Sequence, residues 1–239
     1  MPLKISQNYS ISFNAKKRSK KKIKFVIFHY TGMKTEKAAI KRLTDIQSQV
    51  AAHYLVKKNG EIINMVPDLY IAWHAGVSYW NKENSLNKSS IGIEITNPGH
   101  QFGYKKFSKK QINSLIILSR ILLRKYKIKK ENFLGHSDIA PNRKKDPGEK
   151  FPWKYMAKKK IGIWHKLDEK KLRKLRNKNC DKLLQRNFFN NIFKIGYKKN
   201  FKLRNHLVFV IKAFQRRYRP ELINGKIDQE CLLISQNLI

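Results

Sequence analysis

Hydrophobic patterns of two periods alternate along the first two thirds of the chain. Phe25-Val-Ile-Phe-His29 is a short apolar run that stops at Thr31-Gly32, as a buried strand does. Thr35 can cap a helix through about Ile46, with Glu36 in its first turn and Ala39, Ile40, Leu43 and Ile46 at apolar positions. Two arms, 51–57 and 61–66, flank Asn59-Gly60, a pair that predicts a hairpin closed by a two-residue type I′ turn. Ser90 to Thr96 alternates, which sets Ile91, Ile93 and Ile95 on one face of a strand and Glu94 on the other. Ser108-x-x-Gln111 has the form of a capping box, and it precedes a helix with Ile112, Leu115, Ile116, Leu122, Leu123 and Tyr126 along one face. Phe133-Leu134 could end a further strand. The order strand, helix, hairpin, strand, helix, strand predicts an α/β fold, a mixed sheet flanked by helices.

The last third reads differently. Phe151-Pro-Trp153 closes the α/β domain, which spans 24–155 behind a basic arm of 1–23. The segment 156–187 is basic and helix-compatible, and Leu167, Leu172, Leu175, Leu183 and Leu184 are too sparse for a core of their own, so it reads as a linker plus a helix. From Phe188 onward a small all-α C-terminal domain, 188–239, is expected. Leu203, Leu207, Val210, Ile211, Phe214 and Tyr218 form one face of a helix ended by Pro220. Asn224-Gly225 then turns, and Asp228 can cap a last helix with Leu232, Leu233 and Leu238.

Charge changes the picture of partners more than that of fold. The 239 residues are 41% hydrophobic, enough for a core, yet 53 Lys and Arg against 16 Asp and Glu leave a formal charge of +37. The excess sits mainly in the N-terminal arm and in the segment after Trp153. Such a field favours polyanions in general, and a compositionally biased genome would produce it with no partner at all. The aromatic-basic signatures of common nucleic-acid modules are absent, so nucleic acid is the weaker reading of the charge. Cys180 and Cys231 have no C-x-x-C spacing, so neither a disulfide scaffold nor a thiolate zinc site is indicated. The first 24 residues are polar and basic, with apolar patches too broken for a signal peptide and no lipobox-like cysteine. The longest apolar window, 112–123, is interrupted by Asn113, Ser114, Ser119 and Arg120, so no membrane span is expected. These features point to a cytoplasmic protein and leave periplasmic export open.

Candidate chemistry concentrates in Gly135-His-Ser-Asp-Ile-Ala-Pro-Asn-Arg-Lys-Lys-Asp-Pro-Gly148. This loop offers an imidazole (His136), an ammonium (Lys144) and a carboxylate (Asp146), with Asp138 as a rival carboxylate. An imidazole and a carboxylate suit a metal such as zinc, but a catalytic zinc takes a third protein ligand and keeps one position open. His29, at the end of its apolar run, is the best third candidate. His53, on the first hairpin arm, is more simply read as a packed, hydrogen-bonded core residue. Ala72-Trp-His-Ala-Gly76, followed by Tyr79 and Trp80, offers flat apolar faces with polar edges of the kind that receive a sugar or peptide.

Phe28-His-Tyr-Thr31, Ile91-Gly-Ile-Glu94, Gly135-His-Ser-Asp-Ile-Ala-Pro141 and Lys144-x-Asp146-Pro-Gly together resemble the type 2 family of zinc-dependent N-acetylmuramoyl-L-alanine amidases, the AmpD/AmiD-like enzymes. The resemblance runs from about residue 24 to 155. It implies one Zn²⁺ per chain held by His29, His136 and Asp146, and Glu94 as the carboxylate that moves the water's proton. It implies Lys144 as the charge on the developing oxyanion, with Trp73, His74 and Asn97 beside the substrate. The substrate implied is a peptidoglycan or muropeptide amide, that between N-acetylmuramic acid and L-alanine, cleaved in wall turnover or recycling. Ala213-Phe-Gln and Gly225-x-x-Asp228 resemble elements of a three-helix peptidoglycan-binding module. Relatives that lose zinc ligands bind peptidoglycan without cutting it; here all three ligand and both catalytic positions are filled.

Overall fold

The computed structural model describes residues 5–199 and 205–239; Leu203 lies outside them. The chain opens with β1 (Ile5–Gln7) and β2 (Phe13–Asn14) and enters the central strand β3 (Phe25–Tyr30). The Thr35 side chain accepts from Ala38 N at 3.1 Å and caps α1 (Glu36–Thr44). This helix stops short of Ile46 because the Asp45 side chain accepts from Gln47 N at 2.9 Å and starts a separate 3-10 turn over Ile46–Ser48.

The hairpin β4 (Tyr54–Val56) and β5 (Ile62–Asn64) is antiparallel, but its connection is longer than a two-residue type I′ turn. Gly60 N donates to Lys57 O at 2.9 Å and Lys57 N to Glu61 O at 2.8 Å, so three residues span the gap. Of these only Gly60 has positive φ, +89°, which makes the loop an ordinary turn plus a glycine bulge. A Cβ on Gly60 would lie 2.9 Å from Lys110 O, so the bulge also lets the hairpin approach the next long helix closely.

Next come β6 (Ile71–Ala72), which pairs with β2, and the short pair β7 (Tyr79–Trp80) and β8 (Glu83–Asn84). β9 (Ser90–Ile95) follows, then α2 (Lys109–Tyr126), whose capping box is formed by both Ser108–Gln111 bonds, at 2.9 and 3.1 Å. β10 (Phe133–Gly135) runs directly into the single turn α3 (His136–Ile139). The rest is helical: α4 (Trp153–Lys158), α5 (Glu169–Leu175), α6 (Lys182–Ile195), α7 (His206–Tyr218) and α8 (Gln229–Asn237), the last capped by Asp228, which accepts from Cys231 N at 2.9 Å.

Six strands form one mixed sheet, as the order of elements predicts. Their spatial order is β1-β5-β4-β9-β3-β10, with β4, β9, β3 and β10 parallel and β5 antiparallel to β4. Alternate residues of β3 feed two different cores. Val26 and Phe28 pack with Ile91, Ile93, Leu115 of α2, Phe151 and Trp153, and Met156 and Ile161 extend this cluster beyond residue 155. Phe25 and Ile27, with Leu134, join a second cluster that contains Phe188, Ile192, Val210 and Phe214 of the C-terminal helices. Leu172 is buried there too, with Leu167 and Leu184 against it, so three of the five sparse leucines join a shared core, while Leu183 is exposed. Among the described residues no helix is long and apolar enough to cross a membrane.

Because α6 and α7 share a core with the sheet, the chain should unfold as one unit. Phe214 is fully buried, and Phe214→Ala should cost about 3 to 5 kcal/mol, the usual loss for a core aromatic. Calorimetry should show one transition that moves as a whole. Two transitions, with only one displaced, would mean that the helices fold independently of the sheet.

Candidate active site

The site lies at the carboxyl ends of three neighbouring parallel strands, the usual place for a ligand site in such a sheet. His29 of β3 stands in register with Glu94 of β9, on the face that alternation assigns to both. β10 delivers His136 one residue past its end. Asp146 returns on the following loop, held by a 2.8 Å bond from Ser137 N to its own carbonyl. His29 Nδ1, His136 Nδ1 and Asp146 Oδ2 form a buried triangle with edges of 2.9, 2.9 and 3.1 Å.

Hydrogen bonds assign the tautomers of both imidazoles. His136 Nε2 lies 3.1 Å from Ala75 O, and since a carbonyl only accepts, Nε2 carries the proton and Nδ1 presents a lone pair. For His29 the chain is longer. The Ser90 hydroxyl donates to Leu86 O at 2.5 Å, so it accepts from His74 Nε2 at 3.2 Å. His74 Nδ1 is then an acceptor and takes the proton of His29 Nε2 at 3.0 Å, which leaves His29 Nδ1 as a lone pair. Three acceptors thus converge on one point with no donor among them. Such a set repels itself unless a cation sits between its members. Tetrahedral zinc with bonds near 2.0 Å would separate its ligands by about 3.3 Å, slightly more than the edges found here, so the donors fit that ion.

His74 is therefore placed behind His29, where both of its ring nitrogens are used inside the protein. Expected beside the substrate, His74 lines the cavity that exposes the triangle while bonding His29 and Ser90. Its ring lies flat on the sheet at Gly92, where a Cβ would come within 2.3 Å of His74 Cγ. Trp73, 38% exposed, remains on the rim. Asn97, also expected beside the substrate, is not among the residues lining that cavity. Its Nδ2 donates to Lys105 O at 2.8 Å and its Oδ1 accepts from Gly99 N at 3.1 Å, so it braces the loop after β9 and lines a smaller neighbouring cavity. His53 is a core residue: Nδ1 accepts from Gly92 N at 3.0 Å, and Nε2 donates to Tyr70 O at 3.1 Å. Asp138 is no rival to Asp146, because its oxygens accept from Gly135 N, Tyr197 Oη and Arg217 Nη1 at 2.8, 2.9 and 2.5 Å.

A cavity of about 600 Å³ exposes the triangle. Glu94 and Lys144 line it together, with Trp73 at the rim and Arg42, Arg143 and Lys145 adding positive charge. Glu94 Oε2 is buried without a hydrogen-bond partner, and burial, then the charge of Asp146, pushes the Glu94 carboxyl up to about 8. Burial would raise Asp146 as well, but when His136 or His29 is protonated its positive charge, and the hydrogen bond it then donates, hold the Asp146 carboxyl well below the usual carboxylate range. His29 is pushed down to about 4, first by burial and then by His136. Arg143 was not foreseen from the sequence. Its Nη2 donates to Ala75 O and Val77 O at 3.1 and 2.7 Å and ties the site loop to the Trp73 loop.

Residues 19–149 match the model of a protein family described as N-acetylmuramoyl-L-alanine amidase. The chain belongs to this family. It is 35% identical over 232 residues to the amidase AmiD of Escherichia coli, covering 91% of this chain and 83% of AmiD. It is 40% identical over 108 residues to the 1,6-anhydro-N-acetylmuramyl-L-alanine amidase AmpD of Haemophilus influenzae, covering 45% of this chain and 56% of AmpD. Among solved structures, the Escherichia coli AmiD complex with anhydro-N-acetylmuramic acid-L-Ala-D-γ-Glu-L-Lys has a TM-score of 0.79 at 34% identity, covering 94% of this chain and 90% of that one. AmpDh3 of Pseudomonas aeruginosa also has a TM-score of 0.79, at 30% identity over 95% of both chains. The likeness to AmiD and AmpDh3 extends through the C-terminal helices of this amidase.

The opposed environments of Glu94 and His29 give a test in the metal-free protein. A carboxyl raised from an ordinary 4.5 to about 8 keeps its proton longer in the folded state, so its contribution to stability is full below about 4.5 and is lost as pH rises to about 8. Glu94→Gln removes that loss. The variant should therefore gain stability over wild type, and the gain should grow across this window in urea unfolding. The comparison cancels His29, whose depressed value works the other way, losing stability as pH falls from 6.5 towards 4. A constant difference between the two proteins would show that Glu94 is not in the environment described.

Proposed function

We propose that this chain is a zinc-dependent hydrolase of the amide bond between N-acetylmuramic acid, or its 1,6-anhydro form, and L-alanine in peptidoglycan fragments. The observation that carries the reading is the donor-free convergence of His29 Nδ1, His136 Nδ1 and Asp146 Oδ2 in a cavity shared with Glu94 and Lys144. A Zn²⁺ held there would supply a Lewis acid that polarises the scissile carbonyl and brings a water's pKa towards about 7.

The chain's own groups complete the reaction. Glu94 takes the proton of the attacking water on its unpartnered oxygen and passes it to the amine of the departing L-alanine, a role suited to a carboxyl whose pKa is raised towards neutrality. The Lys144 ammonium faces the same cavity and stabilises the oxyanion, a contribution worth roughly 3 to 4 kcal/mol where one such donor is removed. Trp73 provides a flat apolar surface for the sugar or the first peptide unit. Arg42, Arg143 and Lys145 suit the carboxylates of a stem peptide. The substrate class rests on the relatives: AmiD was solved with an anhydromuramyl tripeptide and AmpDh3 with an anhydromuramic pentapeptide. Turnover or recycling of wall fragments follows from that chemistry.

The purified protein should hold about one zinc per chain, as catalytic zinc sites do. Chelation should abolish release of peptide from an anhydromuramyl peptide, and added zinc should restore it. Glu94→Ala should lower kcat by about 10² to 10⁴ and Lys144→Ala by about 10² to 10³, both with normal zinc content. Full activity after exhaustive chelation would contradict the reading, and so would loss of zinc in either variant.

A further inference from the structure

Two adjacent arginines on α7 reach the two ends of the site loop. Arg217 Nη1 donates to Asp138 Oδ2 at 2.5 Å and its Nη2 to Phe133 O at 3.0 Å, while its guanidinium lies 4.0 Å from the ring centroid of Trp153. Both members of the ion pair are only 2% exposed. Asp138 also accepts from Gly135 N at 2.8 Å, inside the turn that begins with His136. At the far end of the loop Arg216 stands 3.8 Å from Glu149. Glu149 is bonded to His100 at 3.0 Å, and His100 Nδ1 lies 2.9 Å from the hydroxyl of Tyr30, the residue after His29.

We propose that Arg217 is a positioning residue for the metal set: through Asp138 it fixes the turn that aims His136 Nδ1 at the point shared with His29 and Asp146. This inference rests on the zinc reading of the site. A fully buried ion pair is a poor source of net stability, because the desolvation of both charges offsets their attraction, and an apolar pair of similar size often serves as well. What such a pair can supply is geometry. Asp138 holds the α3 turn by accepting from Gly135 N, and donors from distant parts of the chain bind its two oxygens, Arg217 the same one and Tyr197 the other. Phe133 O, at the start of β10, receives the second arm of the same guanidinium. The strand end, the turn and α7 are thus fixed to one another around His136, and α7 forms part of the scaffold of the site.

The test compares zinc affinity, by competition with a chromophoric chelator, in the full chain and in three variants, with folding followed by circular dichroism. Arg217→Met strands the Asp138 charge, so Arg217→Met combined with Asp138→Asn keeps a neutral pair that can fold even where the single variant does not. Outer ligand partners typically contribute about 10- to 100-fold to metal affinity. A loss of that size is expected in the folded double variant, and Arg217→Lys, which keeps the charge but not the fork, should recover part of it. A merely structural role predicts wild-type zinc affinity in every variant that folds, and that result would overturn the proposal. Wild-type protein that binds no zinc would instead remove the reading on which the proposal rests.

Discussion

Three lone pairs held about 3 Å apart are the constraint on which the rest of the site depends. Neither imidazole can turn its N–H inward, because each is committed to a chain of donors that ends on a backbone carbonyl, Ala75 O for His136 and Leu86 O for His29. Backbone carbonyls cannot reverse their role. Much of the surrounding sequence is what keeps these chains in place: Ser90 and Gly92 on the strand that carries Glu94, His74 lying over Gly92, and Arg143 on the carbonyl that His136 uses. A cation placed between the three acceptors would relieve the repulsion built into the triangle.

The same cavity pushes two carboxyls in opposite directions. Asp146 touches both imidazoles and is held in the ionised form that a metal ligand would need, whereas Glu94, half-buried nearby with its Oε2 unpartnered and near the Asp146 charge, holds its proton more tightly. Two acids with separated pKa values suit the two roles proposed for them, ligand and proton carrier. Register sets this arrangement: Glu94 and His29 are paired residues on adjacent parallel strands, so Glu94 stands next to the His29–His136–Asp146 triangle without joining it.

What was legible in the sequence is what is local. The alternation of Ser90 to Thr96 put Glu94 on the face opposite the isoleucines, and the site loop carried its imidazole, ammonium and carboxylate within a few residues. The capping box of α2 and the Asp228 cap of α8 are likewise written in adjacent residues. Asn59-Gly60 marked the hairpin but not its length, because a glycine of positive φ serves both a type I′ turn and a bulged three-residue loop. That His74 rests on Gly92 and bonds His29 is not legible nearby in the sequence. Asp138 and Arg217 are 79 residues apart, and the face of α7 that periodicity identifies says that something covers it without saying what. It packs on α3 and α4 and shares a core cluster with β3 and β10, which is why those helices are not a loose appendage.

The central claim is that His29, His136 and Asp146 hold a metal ion through Nδ1, Nδ1 and Oδ2 with a position left open. Crystals of zinc-loaded protein, measured just above and just below the zinc absorption edge, test it most directly. The account predicts a single anomalous peak about 2.0 Å from those three atoms, with a fourth position filled by water or substrate. A peak bound through either Nε2, or a zinc held at another place while the triangle stays metal-free, would contradict it.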